Sequence, residues 1–307
     1  MKGVVNSINL GLGNISYDNF LGPYYQDIAP SLVHINNEVF AKLDNNGIPF
    51  KEVNGKKVYY VVMIIQYGIA CYDLFCKNQN EEQNKKNVLA VLTWMDTHKE
   101  NLNDSIVWRS NANKQYNIKK DWISGMYQGQ AMSLYLRGFQ LFNNSEYLKT
   151  ADKIFKSFFI DFDDGGFKRI DDGGNIWFEE YPTEKPSLVL NGFIYAMFGI
   201  LDYHRVTNSL AAKELWESCL KTLENNLKKY DVWYWSIYDQ LKKQLVSYYY
   251  QKNIHIPLME IMYELTKKNI FSKYAKKWKK NLNNPIHRLV VKIMYRIQPR
   301  INKLFKF

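Results

Sequence analysis

The chain has 307 residues, 46% apolar, 23% charged and 16% aromatic, with 23 Tyr and 8 Trp. This excludes disorder over most of the length and provides for one large domain with a substantial core. No apolar run is long enough to span a membrane, and the first twenty residues lack the continuous apolar stretch of a cleaved leader. Cys71, Cys76 and Cys219 show no metal-ligand spacing and suit a reducing compartment, so a cytoplasmic protein is expected.

The net charge of +11 is confined to one end. Lys267 to Phe307 hold 10 Lys and 3 Arg with no acid, leaving 28 basic and 30 acidic residues in the rest. A nucleic-acid enzyme spreads its basic surface over the folded body, so no nucleic-acid partner is expected.

Residues 1–58 carry Gly and Asn punctuation without a helical period and read as an extended, β-hairpin region, with Asn54-Gly55 as a turn. Helices are predicted near 60–77, 84–100, 123–142, 145–160, 187–206, 209–229, 252–267 and 270–281. Short polar turns, including Asn78–Gln83, Asn143-Asn144 and Thr207-Asn208, join them into four αα-hairpins. The predicted class is mainly α: an α/α toroid, an incomplete barrel of helical hairpins spanning 59–283. Three connections, Asn101–Trp122, Asp161–Pro186 and Tyr230–Gln251, are about twenty residues each and contain alternating stretches that predict short β-hairpins. In an up-down array they emerge at one end, and long loops on a rigid scaffold are where sites are built.

Trp177-Phe178-Glu179-Glu180-Tyr181-Pro182-Thr183 ends the second connection with two carboxylates and a phenol. These can act as an acid/base pair, or the acids can simply favour the helix start that follows. The third connection offers Tyr234, Tyr238 and Tyr248-Tyr249-Tyr250, then His255. Phenols can move protons or bind sugar hydroxyls, or pack loops on the core; His255 by itself reads as a structural histidine. Ser124-Gly125-Met126-Tyr127-Gln128-Gly129-Gln130 opens a helix where a ligand could approach closely, although Gly-x-x-x-Gly more readily marks tight helix packing. Asp161–Gly166 and Asp171–Gly174 lack the spacing of a calcium loop and read as hairpin turns.

Taken together, these segments resemble the catalytic C-terminal region of the D-glucuronyl C5-epimerase family, the heparan and heparosan uronate epimerases. The resemblance lies in Trp177 to Thr183, continuing through Val189-Leu190-Asn191-Gly192-Phe193. It extends to Gln128-Gly129-Gln130-Ala131, to Gln66-Tyr67-Gly68 and to Ile237-Tyr238-Asp239. It implies an N-terminal β-hairpin against an α/α barrel and catalytic roles for Glu180, Tyr181 and Tyr238. A further catalytic tyrosine precedes His255-Ile256; the register slips by about one residue, so Tyr250 is the choice and Tyr249 the alternative. Tyr67, Arg109, Gln128, Gln130, Glu179, Asn191 and Lys242 are the substrate-binding candidates. An Arg that follows the family's Ile-Tyr-Asp is missing here; Lys242 lies one position on, without bidentate geometry.

The implied reaction is C5-epimerisation of a hexuronate in a glycan chain, polymeric or lipid-linked, with no cofactor expected and a structural divalent cation left open. A lyase shares the initial proton abstraction. Lyase, glycosidase and non-catalytic glycan-binding or assembly protein therefore remain alternatives, and a homodimer is one open assembly. In the tail, 284–307, Ile286, Leu289, Val290, Ile293, Met294 and Ile297 repeat at helical spacing with Arg288, Lys292 and Arg296 beside them. This predicts a basic amphipathic helix of about twelve residues ended by Pro299. It reads either as a last helix docked on the barrel or as an attachment to an anionic cytoplasmic membrane face.

Overall fold

The computed structural model describes residues 8–36, 41–119 and 121–304. The chain is mainly helical. After a helical turn at 29–36, β1 (Lys42–Leu43), β2 (Pro49–Val53) and β3 (Lys56–Val58) form an antiparallel sheet. Asn54 and Gly55 both have positive φ, as a two-residue hairpin turn requires. The helical turn is a departure from the extended reading of 1–58: Pro30 sets a helical φ there. Residues 1–7 of that region lie outside the described residues.

The long helices are α1 (Val61–Cys76), α2 (Glu81–Thr97), α3 (Gly125–Phe142), α4 (Ser145–Ser157), α5 (Leu190–Thr207), α6 (Leu210–Asn226), α7 (Ile256–Thr266), α8 (Asn269–Asn283) and α9 (Pro285–Leu304). Consecutive helices pack as α1·α2, α3·α4, α5·α6 and α7·α8, and α3 also packs on α1 and α5. The hairpin turns contain left-handed residues: Asn78 and Asn80, Asn143, Asn208 and Lys267. Asn tolerates that backbone better than most side chains do. Helices α3 and α5 are buried around most of their circumference, whereas α4 and α6 bury one stripe. The difference marks inner and outer positions. Gly129 makes the α3–α5 contact, because a Cβ there would lie 2.5 Å from the Ala196 Cα. Gly129 of the Gly-x-x-x-Gly pattern therefore serves helix packing, while Gly125 gives room to Phe178 and Phe167.

Short hairpins occupy the long connections: β4 (Glu100–Leu102) with β5 (Ser105–Val107), β6 (Arg109–Ser110) with β7 (Trp122–Ile123), β8 (Lys168–Ile170) with β9 (Ile176–Phe178), and β10 (Asp231–Val232) with β11 (Trp235–Ser236). Asp171 shapes the β8–β9 turn by accepting from the Gly173 and Asn175 amides at 2.9 and 3.0 Å. Among the described residues no helix is long and apolar enough to cross a membrane. One boundary differs from expectation: α9 continues through Pro299 to Leu304, for twenty residues. Proline removes one amide but its φ is itself helical, so the turn can continue.

Candidate active site

The three long connections meet. Leu190 N donates to Tyr238 O at 3.3 Å and Gln240 N to Ser187 O at 2.9 Å, joining the second to the third. Tyr116, from the first, donates to Asp239 at 2.7 Å and stacks on Tyr181 with ring centroids 4.2 Å apart. Lys242 Nζ reaches the Gln115 carbonyl and lies 4.5 Å from the Tyr116 ring centroid.

At this junction the adjacent acids diverge. Glu179 is buried and accepts from Ser187 N and Leu188 N, both at 3.0 Å, and from Ser187 Oγ at 2.5 Å; Arg169 stands 3.4 Å away. Leu188 has φ +47°, a backbone that costs energy for a branched side chain. The Glu179 carboxylate holds it in place, so Glu179 acts on the approach to α5 much as a helix-start acid would.

Glu180 points the other way. It is 3% exposed, and burial pushes its carboxyl up to about 7 against the opposing effect of hydrogen bonds from Tyr181, Tyr238 and Asn191. Tyr238 Oη lies 2.9 Å from Glu180 Oε1, and Asn191 Nδ2 lies 3.3 Å from Oε2. Tyr181, Tyr238 and Tyr250 line a cavity of about 210 Å³ with Tyr116, Gln115 and Tyr295. Burial raises these catalytic-candidate phenols above their ordinary range, so they are protonated donors near neutral pH.

Tyr250 owes its position to an irregular helix start. Ser247 caps a single turn, Tyr248–Tyr250, and its Oγ accepts from Tyr250 N at 3.1 Å. A π-helical turn, Gln251–His255, follows and leads into α7. Pro257 has no N–H for the Asn253 carbonyl four residues back. Gln26 Nε2 donates to that carbonyl at 2.6 Å, and the Asn253 side chain accepts from Leu10 N at 2.9 Å. The N-terminal segment thus braces the turn that carries Tyr250. Such π-turns recur at functional sites. Tyr250 lines the same cavity as Tyr238, their centroids 5.5 Å apart, while Tyr249 lines a separate cavity of about 400 Å³ with Tyr67 and Gln66.

Other candidates stand apart. Arg109 pairs with Glu100 at 3.1 Å and lines a different cavity beside Trp94 and His98. Gln128 is fully engaged: its amide donates to Ile106 O at 2.8 Å and Ser157 Oγ at 3.0 Å, while its oxygen accepts from Trp108 N. Gln130 is buried, accepts from Gln66 at 3.4 Å and leaves its own amide nitrogen without a partner. His255 is buried, contacts Ser236 Oγ at 2.8 Å and is depressed to about 3 by burial, a structural histidine. Among the described residues no three His, Cys, Asp or Glu side chains converge as metal ligands.

The sequence reading missed Tyr116, Asp239 and Tyr295. Tyr116 sits in a polar loop with no pattern of its own; Asp239 was visible only as the neighbour of Tyr238. Tyr295 comes from a helix far along the chain.

A buried carboxyl near neutral pKa among protonated phenols is the equipment of a proton-transfer site. Residues 99–280 match the family model described as D-glucuronyl C5-epimerase C-terminus, and the chain belongs to that family. It is similar to the D-glucuronyl C5-epimerase of Caenorhabditis elegans, 32% identical over 222 residues that cover 65% of this chain and 35% of that protein. An uncharacterized protein of Methanocaldococcus jannaschii is 32% identical over 178 residues, 57% of each chain. The chain therefore spans about a third to somewhat over half of these relatives.

Proposed function

We propose that this protein epimerises C5 of a hexuronate residue within a glycan chain, of the D-glucuronate to L-iduronate type. The observation that carries the reading is Glu180: a buried carboxyl near pKa 7, hydrogen-bonded by Tyr238 beside a phenol-lined cavity, in a chain of this family.

The C5 hydrogen of a uronate is weakly acidic because the C6 carboxylate can delocalise the electron pair left behind. Epimerisation requires removal of that proton from one face and return of a proton to the other. Glu180 is about half ionised near neutral pH and accepts the proton, directly or along its hydrogen bond with Tyr238. Tyr250, neutral at that pH, donates from the opposing face; the roles exchange in the reverse direction. Tyr181 and Tyr238 donate to the enediolate oxygens as charge develops. Lys242, whose Nζ lies 4.5 Å from the ring of the cavity-lining Tyr116, is the cation suited to the uronate carboxylate. No electrons are gained or lost, so the reaction calls for no redox cofactor. The helical hairpins of 59–283 are read as the α/α toroid that supports this site, with 1–58 and 284–307 as appended segments.

Incubation of a uronate-containing oligosaccharide in heavy water, followed by NMR, tests the proposal. Deuterium at C5 with a mixture of epimers is expected. An unsaturated product would identify a lyase instead, and an unchanged substrate would leave only binding.

A further inference from the structure

The C-terminal helix α9 presents two different faces. Val291 is buried, and His287 packs against the rings of Trp233 and Tyr234, centroids 5.5 and 6.3 Å away. Tyr295 joins the wall of the candidate active-site cavity. Ile286, Leu289, Ile293 and Ile297, spaced 3, 4 and 4 residues apart, form an outward apolar stripe that is 68, 58, 46 and 40% exposed. Arg288 and Lys292 are exposed beside this stripe, and no ion pair is formed by either among the described residues. Trp233, 70% exposed, lies in the β10–β11 turn and packs against His287 near the start of this helix.

We infer that α9 docks the protein on an anionic lipid surface, lying in the interface with the 286/289/293/297 stripe in the acyl boundary and its basic side chains among the headgroups. The choice of occupant rests on two features together. A soluble polyanion would use the charges but leave the apolar stripe in water, whereas an apolar protein groove would bury the stripe and gain nothing from a helix with five Lys and Arg and no acid. A lipid interface with acidic headgroups uses both, and an exposed Trp adds a side chain suited to that depth. Because the same helix supplies Tyr295, docking brings the cavity close to the headgroups. If the proposed reaction is correct, a lipid-linked glycan becomes the favoured substrate form.

Truncation before Pro285 would also remove Tyr295, so surface substitutions in the full chain make the cleaner test. Wild type, the pair Leu289→Ser with Ile293→Ser, and the pair Arg288→Glu with Lys292→Glu are sedimented with vesicles of phosphatidylcholine alone or mixed with phosphatidylglycerol. Wild type is expected to bind only the mixed vesicles and to be released by salt, and each double variant to bind about tenfold or more weakly. Absence of wild-type binding, equal binding by all three proteins, or loss in the charge pair with full retention in the apolar pair would overturn the inference. C5 exchange on a soluble oligosaccharide, measured on the same variants, should be unchanged. Its absence from wild type as well would instead count against the proposed reaction.

Discussion

Gly192 makes room for Glu180. A Cβ at Gly192 would lie 2.5 Å from the Glu180 Cβ and 2.5 Å from its Oε2, so the first turn of α5 and the end of the β8–β9 hairpin fit only with hydrogen at that position. Gly192→Ala should therefore move the carboxylate away from Tyr238. The expected result is a fall in C5 exchange of about a hundredfold or more, with helical content retained. The overpacking should cost about 1–3 kcal/mol of stability. Kinetics and thermal melts read the two effects separately.

Glu180→Gln should abolish C5 exchange and also alter the dependence of stability on pH. Burial pushes the folded carboxyl up to about 7, against its ordinary value of 4.5. Between those values the folded state binds more protons than the unfolded state, so its contribution is complete below about 4.5 and is lost as pH rises through about 7. The amide cannot ionise. The variant should gain stability relative to wild type between pH 5 and pH 8, on the order of 2–3 kcal/mol. Denaturant melts at the two pH values check this; an unchanged difference would place the Glu180 pKa near its ordinary value.

Burial pushes the Glu179 carboxyl up to about 7 as well, but Glu179→Gln should act chiefly through the hydrogen bonds it breaks. Its carboxylate accepts from two backbone amides and the Ser187 hydroxyl, and an amide side chain would aim an N–H at some of those donors. A loss of about 2–4 kcal/mol is expected from this buried network, seen as a lower melting midpoint at neutral pH. Activity should fall through misplacement of residues 180–188, so reduced exchange should accompany the reduced stability.

Tyr238→Phe and Tyr250→Phe each remove one oxygen from the cavity wall. Each should lower C5 exchange by about a hundredfold or more, while Tyr249→Phe should leave it within a few-fold, since Tyr249 lines a different cavity. Wild-type rates for the first two would make the tyrosine cluster a packing feature.

The hairpin architecture could be read from the chain because its causes are local. Apolar spacing places α1 to α8 within a few residues of their observed bounds, and Asn at 143 and 208 ends helices through backbone preferences of one residue. The Glu-Glu-Tyr-Pro-Thr and Leu-Asn-Gly-Phe segments likewise marked the neighbourhood of the candidate site. Local signals misjudged Pro299, because a proline's cost inside a helix is a penalty that other interactions can exceed.

The geometry around the candidate residues in that neighbourhood came only from the tertiary structure. Glu179 and Glu180 are chemically identical neighbours, and burial pushes both carboxyls up to about 7; what divides them is partnership, since Glu179 accepts from Ser187 and Leu188 while Glu180 faces Tyr238 and Asn191. Gln128 and Arg109 carry the right chemistry for a sugar ligand, yet one is spent on Ile106 and Ser157 and the other lines a different cavity. The amphipathic period of α9 was visible in the sequence, but its exposed stripe and the placement of Tyr295 were not. Local periodicity determines which elements form, whereas pKa, exposure and partnership depend on groups distant along the chain that only folding brings within a few ångströms.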